Sequence, residues 1–192
     1  EAELMIEPNE TLGEAEVAKD YPLEFVKVVG EFQDYGDAGI SKQDRSTLVK
    51  LSRSLVPKKL QKYSGTIYRL MTLPRSTIDL LKSGGTYNYD NISSWSKDPD
   101  IGKDTSLRGF LNDTSRDGTK LYPVLLRGKF GPYVLLDIDG LHKTKKFSDS
   151  IDQYFDDDEV TGLSFSDSQQ EVMVGPIVLK KEHVIVDYQG YK

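Results

Sequence analysis

Cysteine is absent from this 192-residue protein. Its absence excludes disulfide bonds, thiolate metal sites and cysteine nucleophiles, and it fits a reducing compartment without requiring one. Histidine is almost as scarce, with only two residues in the whole sequence. His142 and His183 lack the spacing of a zinc site and neither lies beside a nucleophile elbow, so we interpret both as ordinary core or surface residues.

Long apolar runs and excess positive charge are also missing. No stretch approaches the roughly 18 apolar residues that a membrane-spanning helix requires, and no signal peptide is visible. Acidic residues outnumber basic ones by 31 to 25, which gives a net charge of -6. A general nucleic-acid binder would present a basic face, so we expect neither a nucleic acid nor a membrane as partner. Because the sequence begins at Glu1 rather than at methionine, we expect a processed product or a piece of a longer protein.

Two short motifs imitate ligand sites without completing them. Gly102-Lys103 lacks the upstream glycine of a phosphate-binding loop and is followed by Asp104. The segment Asp137-Ile138-Asp139-Gly140 resembles part of a calcium loop, but the two residues after it break the ligand pattern. We therefore predict no metal ion.

The N-terminal third of the sequence has helical periodicity. Apolar spacing predicts a helix over Glu24–Phe32, which Asp34-Tyr35-Gly36 should stop. Ser41 and Asp44 resemble a capping box at the start of a second helix, which Pro57 should end.

From Tyr63 onward, short runs rich in Val, Ile, Leu and Tyr are bounded by Gly or Asp turns. These runs predict strands at Ser64–Met71, Tyr87–Trp95, Tyr122–Leu126, Tyr133–Ile138, Glu171–Leu179 and His183–Tyr188, and a short helix at Ser76–Lys82. Since no long helices alternate with these strands, we predict an α+β fold in a single domain, helical over 1–62 and β-rich over 63–192. The acidic segment Ser148–Asp167 is expected to be a solvated loop.

One carboxylate has a distinctive position. Glu171 opens an apolar run directly after a polar segment. In a continuous strand, Gln169 and Glu171 would project to one face and Gln170 to the other. Two polar side chains at the mouth of a loop can bind one ligand together, although a polar strand start is more often a solvated edge.

Three separated elements carry a resemblance to a known enzyme family. They are Thr66-Ile67-Tyr68-Arg69, Asn91-Ile92-Ser93-Ser94-Trp95-Ser96 and Gln169-Gln170-Glu171-Val172. In this order they resemble the Arg/Ser-Thr-Ser/Glu class of mono-ADP-ribosyltransferases, and the run that starts at Glu171 is similar to the bacteriophage members. The resemblance covers roughly 63–188. It implies two mostly antiparallel sheets around an NAD cleft, flanked by the N-terminal helices.

The resemblance also implies roles for individual residues. Glu171 matches the catalytic carboxylate, which stabilises the positive charge that develops on the ribose as the nicotinamide–ribose bond breaks. Arg69 matches the arginine that binds the NAD phosphates, and Ser94 matches the serine that positions the glutamate. Trp95 replaces the motif threonine, which leaves Ser93 open as the alternative motif serine.

Further residues are implied at the cofactor and acceptor sites. The implied cofactor contacts are Leu70, Asn91, Ser96 and Arg127, together with Arg69, Ser94 and Glu171. Phe165 and the acidic loop before Gln169 would form the acceptor-recognition turn. Gln169 stands where arginine-modifying members carry glutamate, and glutamine can form hydrogen bonds but cannot act as a base. Phage relatives have glutamate there, so the acceptor residue stays open.

The leading hypothesis is an enzyme that transfers ADP-ribose from NAD to a target protein and releases nicotinamide. An NAD glycohydrolase and a non-catalytic module of the same fold are the alternatives, and Leu70 and Trp95 favour the non-catalytic one. The implied partner is an acceptor protein of a host cell, and the implied place of action is a cytoplasm. The resemblance further implies a toxin-like transferase.

Arg69→Lys should weaken NAD binding although the charge is retained. A point-like ammonium cannot reproduce the planar fork that guanidinium offers to phosphate oxygens. Calorimetric titration of both proteins with NAD measures the change. Unchanged affinity would mean that Arg69 is a structural or exposed residue and would contradict the motif assignment.

Overall fold

The computed structural model describes residues 20–103, 111–155 and 170–187. Within these ranges the chain forms five α-helices and eight β-strands. The helices are α1 (Leu23–Gly39), α2 (Lys42–Leu55), α3 (Arg75–Lys82), α4 (Ile138–His142) and α5 (Lys145–Tyr154). The strands are β1 (Ile67–Pro74), β2 (Tyr87–Tyr89), β3 (Ser93–Ser96), β4 (Leu121–Gly128), β5 (Val134–Leu136), β6 (Glu171–Val174), β7 (Ile177–Leu179) and β8 (Val184–Asp187). No helix in the described ranges combines the length and apolar character needed to cross a membrane.

The first helix forms because apolar residues recur on one face of it. Phe25, Val29 and Phe32 are fully buried, as the spacing predicts. The predicted stop at Asp34 is wrong, since α1 continues to Gly39. A glycine inside a helix costs only about 1 kcal/mol relative to alanine, which is too little to end a helix whose earlier turns are held in the core.

The second helix begins where its capping residues predict. Ser41 is the N-cap of α2, and its Oγ accepts a hydrogen bond from the backbone N–H of Asp44 at 3.0 Å. The helix ends at Leu55, two residues before Pro57. Leu48 is fully buried on the face that packs toward α1.

The strands form two antiparallel sheets. The larger sheet has six strands in the order β5-β6-β3-β1-β4-β8, and the smaller sheet pairs β2 with β7. Every pairing among the described strands is antiparallel. The predicted α+β class with two mostly antiparallel sheets is therefore confirmed.

Two predicted strands are each divided between the sheets. The run Tyr87–Trp95 becomes β2 and β3, and the run Glu171–Leu179 becomes β6 and β7. Pro176 lies at the second break, where it cannot donate a ladder hydrogen bond. The apolar pattern marks both runs correctly but does not show that the ribbon they form bends from one sheet into the other.

The acidic segment is not a loop throughout. Its first part, 148–154, belongs to α5, so the loop prediction is wrong there. Phe147 is fully buried and packs edge-on against Phe25, which fixes this helix on α1. The Oγ of Ser150 accepts a hydrogen bond from the backbone N–H of Tyr21 at 2.8 Å. Residues 156–167 of the segment lie outside the described residues.

Two apolar clusters cover the two faces of the large sheet. Met173 packs in the cluster of α1, α2, α4 and α5, whereas its neighbours Val172 and Val174 pack in the other cluster with Trp95. Adjacent residues of a strand point to opposite faces, so β6 contributes to both. Ser94, Ser96 and Glu171 share the face of Met173 and are consequently brought beneath α1.

A largely buried ion cluster joins the end of β3 to the start of α4. Lys97 Nζ lies 2.8 Å from Asp137 Oδ1 and 2.8 Å from Asp139 Oδ2, and 4.6 Å from the ring centroid of Tyr63. Asp137 also caps α4 by accepting the backbone N–H of Gly140. Burial disfavours these charges, but the hydrogen bonds hold the pKa of Lys97 above and the pKa of Asp139 below their ordinary values.

Lys97→Met should lower the free energy of unfolding by about 3 kcal/mol at neutral pH, because it leaves two covered carboxylates without their shared cation. The loss should shrink as the pH falls through the lowered pKa of Asp139, where that carboxylate becomes protonated and no longer needs the cation. Urea denaturation at several pH values measures it.

Lys103→Met is the matched control, since its ion pair with Asp100 is exposed. Stability in this variant should stay at the wild-type value. An equal loss in both variants would mean that the Lys97 cluster contributes no more than a surface pair.

Candidate active site

The register of β3 against β6 brings two of the predicted site residues into contact. Ser96 pairs with Glu171, and Ser94 pairs with Met173. Glu171 therefore shares a face with both serines. The hydroxyl of Ser94 donates a hydrogen bond of 2.5 Å to Glu171 Oε1.

Glu171 is buried and its second oxygen is also held. Its exposed fraction is 3%, and Gln33 Nε2 donates to Glu171 Oε2 at 2.8 Å. The Oε1 of Gln33 lies 2.8 Å from Nε2 of His142. One carboxylate thus receives hydrogen bonds from a strand on one side and a helix on the other.

The environment of this carboxylate shifts its ionisation. Burial raises the pKa of Glu171 above its ordinary value, while the donors on Ser94 and Gln33 and the charge of Arg69 oppose the rise. The charge of Asp34 adds to it. The result is a partly desolvated carboxylate whose negative charge acts strongly at short range.

Arg69 lies beside this pair but not at a strand end. It is the third residue of β1, which runs on to Pro74 because all of its residues pair with β4. The predicted strand Ser64–Met71 therefore lies three residues too early at both ends. Arg69 Nη1 donates to the backbone carbonyl of Ser94, and its Nη2 lies 3.4 Å from the hydroxyl of Tyr89. Its Nε is buried and has no hydrogen-bond partner among the described residues.

The two candidate motif serines have different surroundings. Trp95 is 2% exposed, and its Nε1 donates to Ser93 Oγ at 2.8 Å. Its ring packs against Phe130 with centroids 4.9 Å apart. Ser93 and Trp95 thus form part of the core, and Ser94 is the serine that contacts the glutamate.

The remaining predicted cofactor residues are more dispersed. Ser96 is buried, and its Oγ accepts the backbone N–H of Asp98 at 3.0 Å, which supports the turn after β3. Asn91 is exposed in the link between β2 and β3. Leu70 is half-buried on β1, where alternation points its side chain away from the face of Arg69.

Arg127 is not brought together with the other site residues. It pairs with Tyr68 in β4, and Tyr68 pairs with Ser96 on its other side. The Cα atoms of Arg127 and Ser96 are therefore about 10 Å apart, at roughly 4.8 Å per strand. Arg127 lines a separate cavity of about 340 Å³ with His183 and Glu182.

Phe165 and Gln169 lie outside the described residues. The strand argument for Gln169 does not hold, because β6 begins at Glu171 and Gln170 has a left-handed φ of 46°. Alternation of side chains requires extended backbone, so it cannot be continued from Glu171 to Gln169. The carbonyl of Gln170 accepts the backbone N–H of Lys97 at 3.1 Å, which ties this turn to the end of β3.

Three residues of the site are not among the site residues predicted from the sequence. Gln33 contacts Glu171, His142 contacts Gln33, and Tyr89 contacts Arg69. Gln33 follows Val29 by four residues, on the buried face of α1, and is itself only 7% exposed. A polar side chain at an apolar position of a helix was a signal that could have indicated it. His142 and Tyr89 carry no comparable signal, since their contacts depend on tertiary packing.

Comparison with known proteins gives a limited likeness. No protein-family model matches the chain, and no curated protein matches it. A solved structure of ADP-ribosyltransferase Vis in complex with the M6 inhibitor shares 21% identity over 86% of this chain and 63% of that chain, with a TM-score of 0.42. A structure of the same protein in complex with agmatine shares 20% identity over 86% of this chain and 64% of that chain, also with a TM-score of 0.42. The chain spans less than two thirds of the length of either neighbour, and a TM-score of this size does not establish a shared fold.

Glu171→Gln should be more stable than the wild type at about pH 7 and equal to it near pH 4. A carboxyl group with a raised pKa binds its proton more tightly in the folded protein than in the unfolded chain. The wild type therefore loses stability as the pH rises above the pKa that Glu171 has in the unfolded chain. The amide carries no charge to desolvate and avoids this loss. Urea denaturation across this pH range measures the difference, with exposed Glu24→Gln as the control. A variant less stable than the wild type at neutral pH would contradict the prediction.

Proposed function

We propose that the chain is an NAD-dependent mono-ADP-ribosyltransferase, which transfers ADP-ribose from NAD to a target protein and releases nicotinamide. One observation carries the proposal: Ser94 holds the carboxylate of Glu171 while Arg69 binds the backbone at Ser94. These residues come from three strands that are distant in sequence, and they are the three on which the motif resemblance depends.

The chemistry requires a fixed negative charge near the ribose. The bond between ribose C1′ and the nicotinamide nitrogen breaks, and nicotinamide leaves with the electron pair. Positive charge then develops on the ribose ring, and an acceptor nucleophile forms the new bond to C1′ and loses its proton. In this proposal Glu171 stabilises the developing charge, because a preorganised carboxylate in a water-poor site acts more strongly than one in water.

Arg69 is proposed to bind the cofactor through its guanidinium. Its contacts with the Ser94 carbonyl and Tyr89 hold the group in one orientation, and within the described ranges its buried Nε has no hydrogen-bond partner. A planar, permanently charged group suits phosphate oxygens. Asn91, in the link before β3, is proposed as a further cofactor contact. Leu70 is proposed to contribute through its backbone, because its side chain points away from the face of Arg69.

A cavity lined by Ile92, two residues before Ser94 in the chain, is proposed to hold more of the cofactor. It has a volume of about 600 Å³ and lies between α2 and Ile92, which directly follows Asn91. Arg45, Lys50 and Arg53 line it. Its volume is in the range of small-molecule sites, and its cationic lining suits a diphosphate.

Ser96 and Arg127 have weaker support as cofactor contacts. The Ser96 side chain holds the turn at Asp98, so its proposed role is to shape the site rather than to bind NAD. Arg127 lies in the separate cavity beside His183. Only an extended cofactor that crosses the sheet would reach Arg127 from Glu171.

The acceptor is proposed to be a protein of a host cell, contacted by Phe165 and Gln169. Glutamine at 169 suits an acceptor that needs hydrogen bonding rather than deprotonation, because an amide cannot act as a base. This proposal places the reaction in a cytoplasm and relates the chain to toxin-like and bacteriophage transferases.

A specific observation favours the non-catalytic alternative. Glu171 is 3% exposed, and each of its oxygens already accepts a hydrogen bond. NAD can reach this carboxylate only if side chains above it move. A module that uses the same fold to bind a partner would need no such movement.

Glu171→Gln should lower the rate of ADP-ribose transfer by about a hundredfold or more while leaving NAD affinity nearly unchanged. The substitution keeps the shape but removes the charge that acts in the transition state. Labelled NAD and a cell lysate measure transfer, nicotinamide release without lysate measures hydrolysis, and calorimetry measures binding.

Exposed Glu24→Gln is the charge-matched control and should retain full activity. Nicotinamide release without transfer would identify a glycohydrolase. Absence of NAD binding in the wild type would favour the non-catalytic module. Turnover of Glu171→Gln within a fewfold of the wild type would remove Glu171 from the catalytic role.

A further inference from the structure

Gln33 is an amide in a position where packing alone would favour an apolar side chain. It lies on the buried face of α1 with Val29 and Phe25, and it is 7% exposed. A buried amide is tolerated when its hydrogen bonds are made. Both ends of Gln33 make one, to Glu171 on one side and to His142 on the other.

The hydrogen-bonding roles in this series follow from elementary chemistry. The NH₂ group of Gln33 can only donate, and it donates to Glu171 Oε2 at 2.8 Å. The amide oxygen then faces His142 Nε2 at 2.8 Å and can only accept as well. His142 must therefore carry a proton on Nε2. We call Gln33, with these two hydrogen bonds, the Gln33 bridge.

Packing fixes the far end of the Gln33 bridge. His142 is the last residue of α4, and its ring meets Phe147 edge-on, with centroids 4.9 Å apart and an interplanar angle of 81°. Phe147 is fully buried. A ring held in this way fixes the amide, and the amide in turn fixes one carboxylate oxygen.

We propose that Gln33 and His142 are positioning residues for Glu171, which hold the second carboxylate oxygen while Ser94 holds the first. The inference rests on the proposed function, in which Glu171 is the catalytic group. The Gln33 bridge sets the rotamer of the carboxylate and favours its ionised form. Two charged groups act on the carboxylate. Arg69 on β1 also favours its ionised form, whereas Asp34 on α1 disfavours it.

Gln33→Met tests the inference, since methionine fills a similar volume and forms no comparable hydrogen bond. We expect kcat to fall about tenfold or more, because a hydrogen bond to a charged group is lost, and KM to change less than about threefold. Without the donor, the carboxyl of Glu171 should titrate at a higher pH. The ¹³C resonance of that carboxyl, assigned with Glu171→Gln, measures the titration without any need for activity.

Two further variants separate positioning from packing. Val29→Ala removes a fully buried side chain from the same helix face and should leave both kcat within about threefold and the Glu171 titration unchanged. His142→Phe keeps a ring beside Phe147 but removes the Nε2 proton, and it should shift the titration in the same direction as Gln33→Met. It also provides the test if the methionine variant fails to fold.

The ¹⁵N spectrum of the imidazoles gives a third readout. His142 should show its proton on Nε2 in the wild type and exchange that proton faster in Gln33→Met. His183, whose Nδ1 accepts the backbone N–H of Lys180 at 2.9 Å, is the internal reference and should not change.

The outcomes distinguish the inference from the proposed function. If the wild type does not turn over NAD, the proposed function fails, and the carboxyl titration and the imidazole spectrum still decide the role of the Gln33 bridge. If Glu171 titrates at the same pH in the wild type, Gln33→Met and His142→Phe, the inference is overturned. It is also overturned if Val29→Ala changes kcat and the titration as much as Gln33→Met does.

Discussion

The pairing of β3 with β6 in a single register determines what the candidate site can be. Because side chains alternate along a strand, a slip of one residue would turn Glu171 toward Trp95 and away from Ser94. The carboxylate would then be buried in an apolar cluster without donors, at a cost of several kcal/mol. The bond between the Lys97 N–H and the Gln170 carbonyl holds the ladder at one end, and the pairing of β5 with β6 holds its other edge.

The short helix α4 connects this ladder to the helical layer at both of its ends. At its start, Asp137 and Asp139 bind Lys97, which directly follows β3. At its end, His142 contacts Gln33 and, through it, β6. A single turn of helix thus joins the two strands of the site to α1. The two contacts lie at opposite ends of α4, so the loss of one leaves the other in place.

The sequence predicts the parts of the fold that depend on local pattern. Apolar spacing identifies the buried face of α1, and Ser41 with Asp44 identifies the start of α2. Local pattern does not show where a strand leaves one sheet for another, so β2 and β3 are predicted as one strand. It also places Gln169 on the face of Glu171, because nothing in the residue type of Gln170 indicates a left-handed backbone.

The candidate site also contains residues that the sequence predicts and residues that only the fold reveals. Ser94 and Glu171 are predicted to lie together because a motif names both, and they do contact each other. Gln33 and His142 belong to no motif, and only the folded arrangement of α1 and α4 brings them to the carboxylate. Arg127 is the opposite case: the motif resemblance names it as a site residue, but in the fold it lines a separate cavity.

Because Trp95 is buried in β3, its intrinsic fluorescence can report on that strand. It is the protein's single tryptophan, it is 2% exposed, and it adjoins Ser94 in the chain. Light absorbed only by indole therefore excites one residue, which lies in an apolar environment with its N–H bonded to Ser93. Fluorescence from such an indole lies at shorter wavelength than fluorescence from a hydrated one. A change in emission wavelength would thus report on β3 itself, where Ser94 meets Glu171, without any dye or added label.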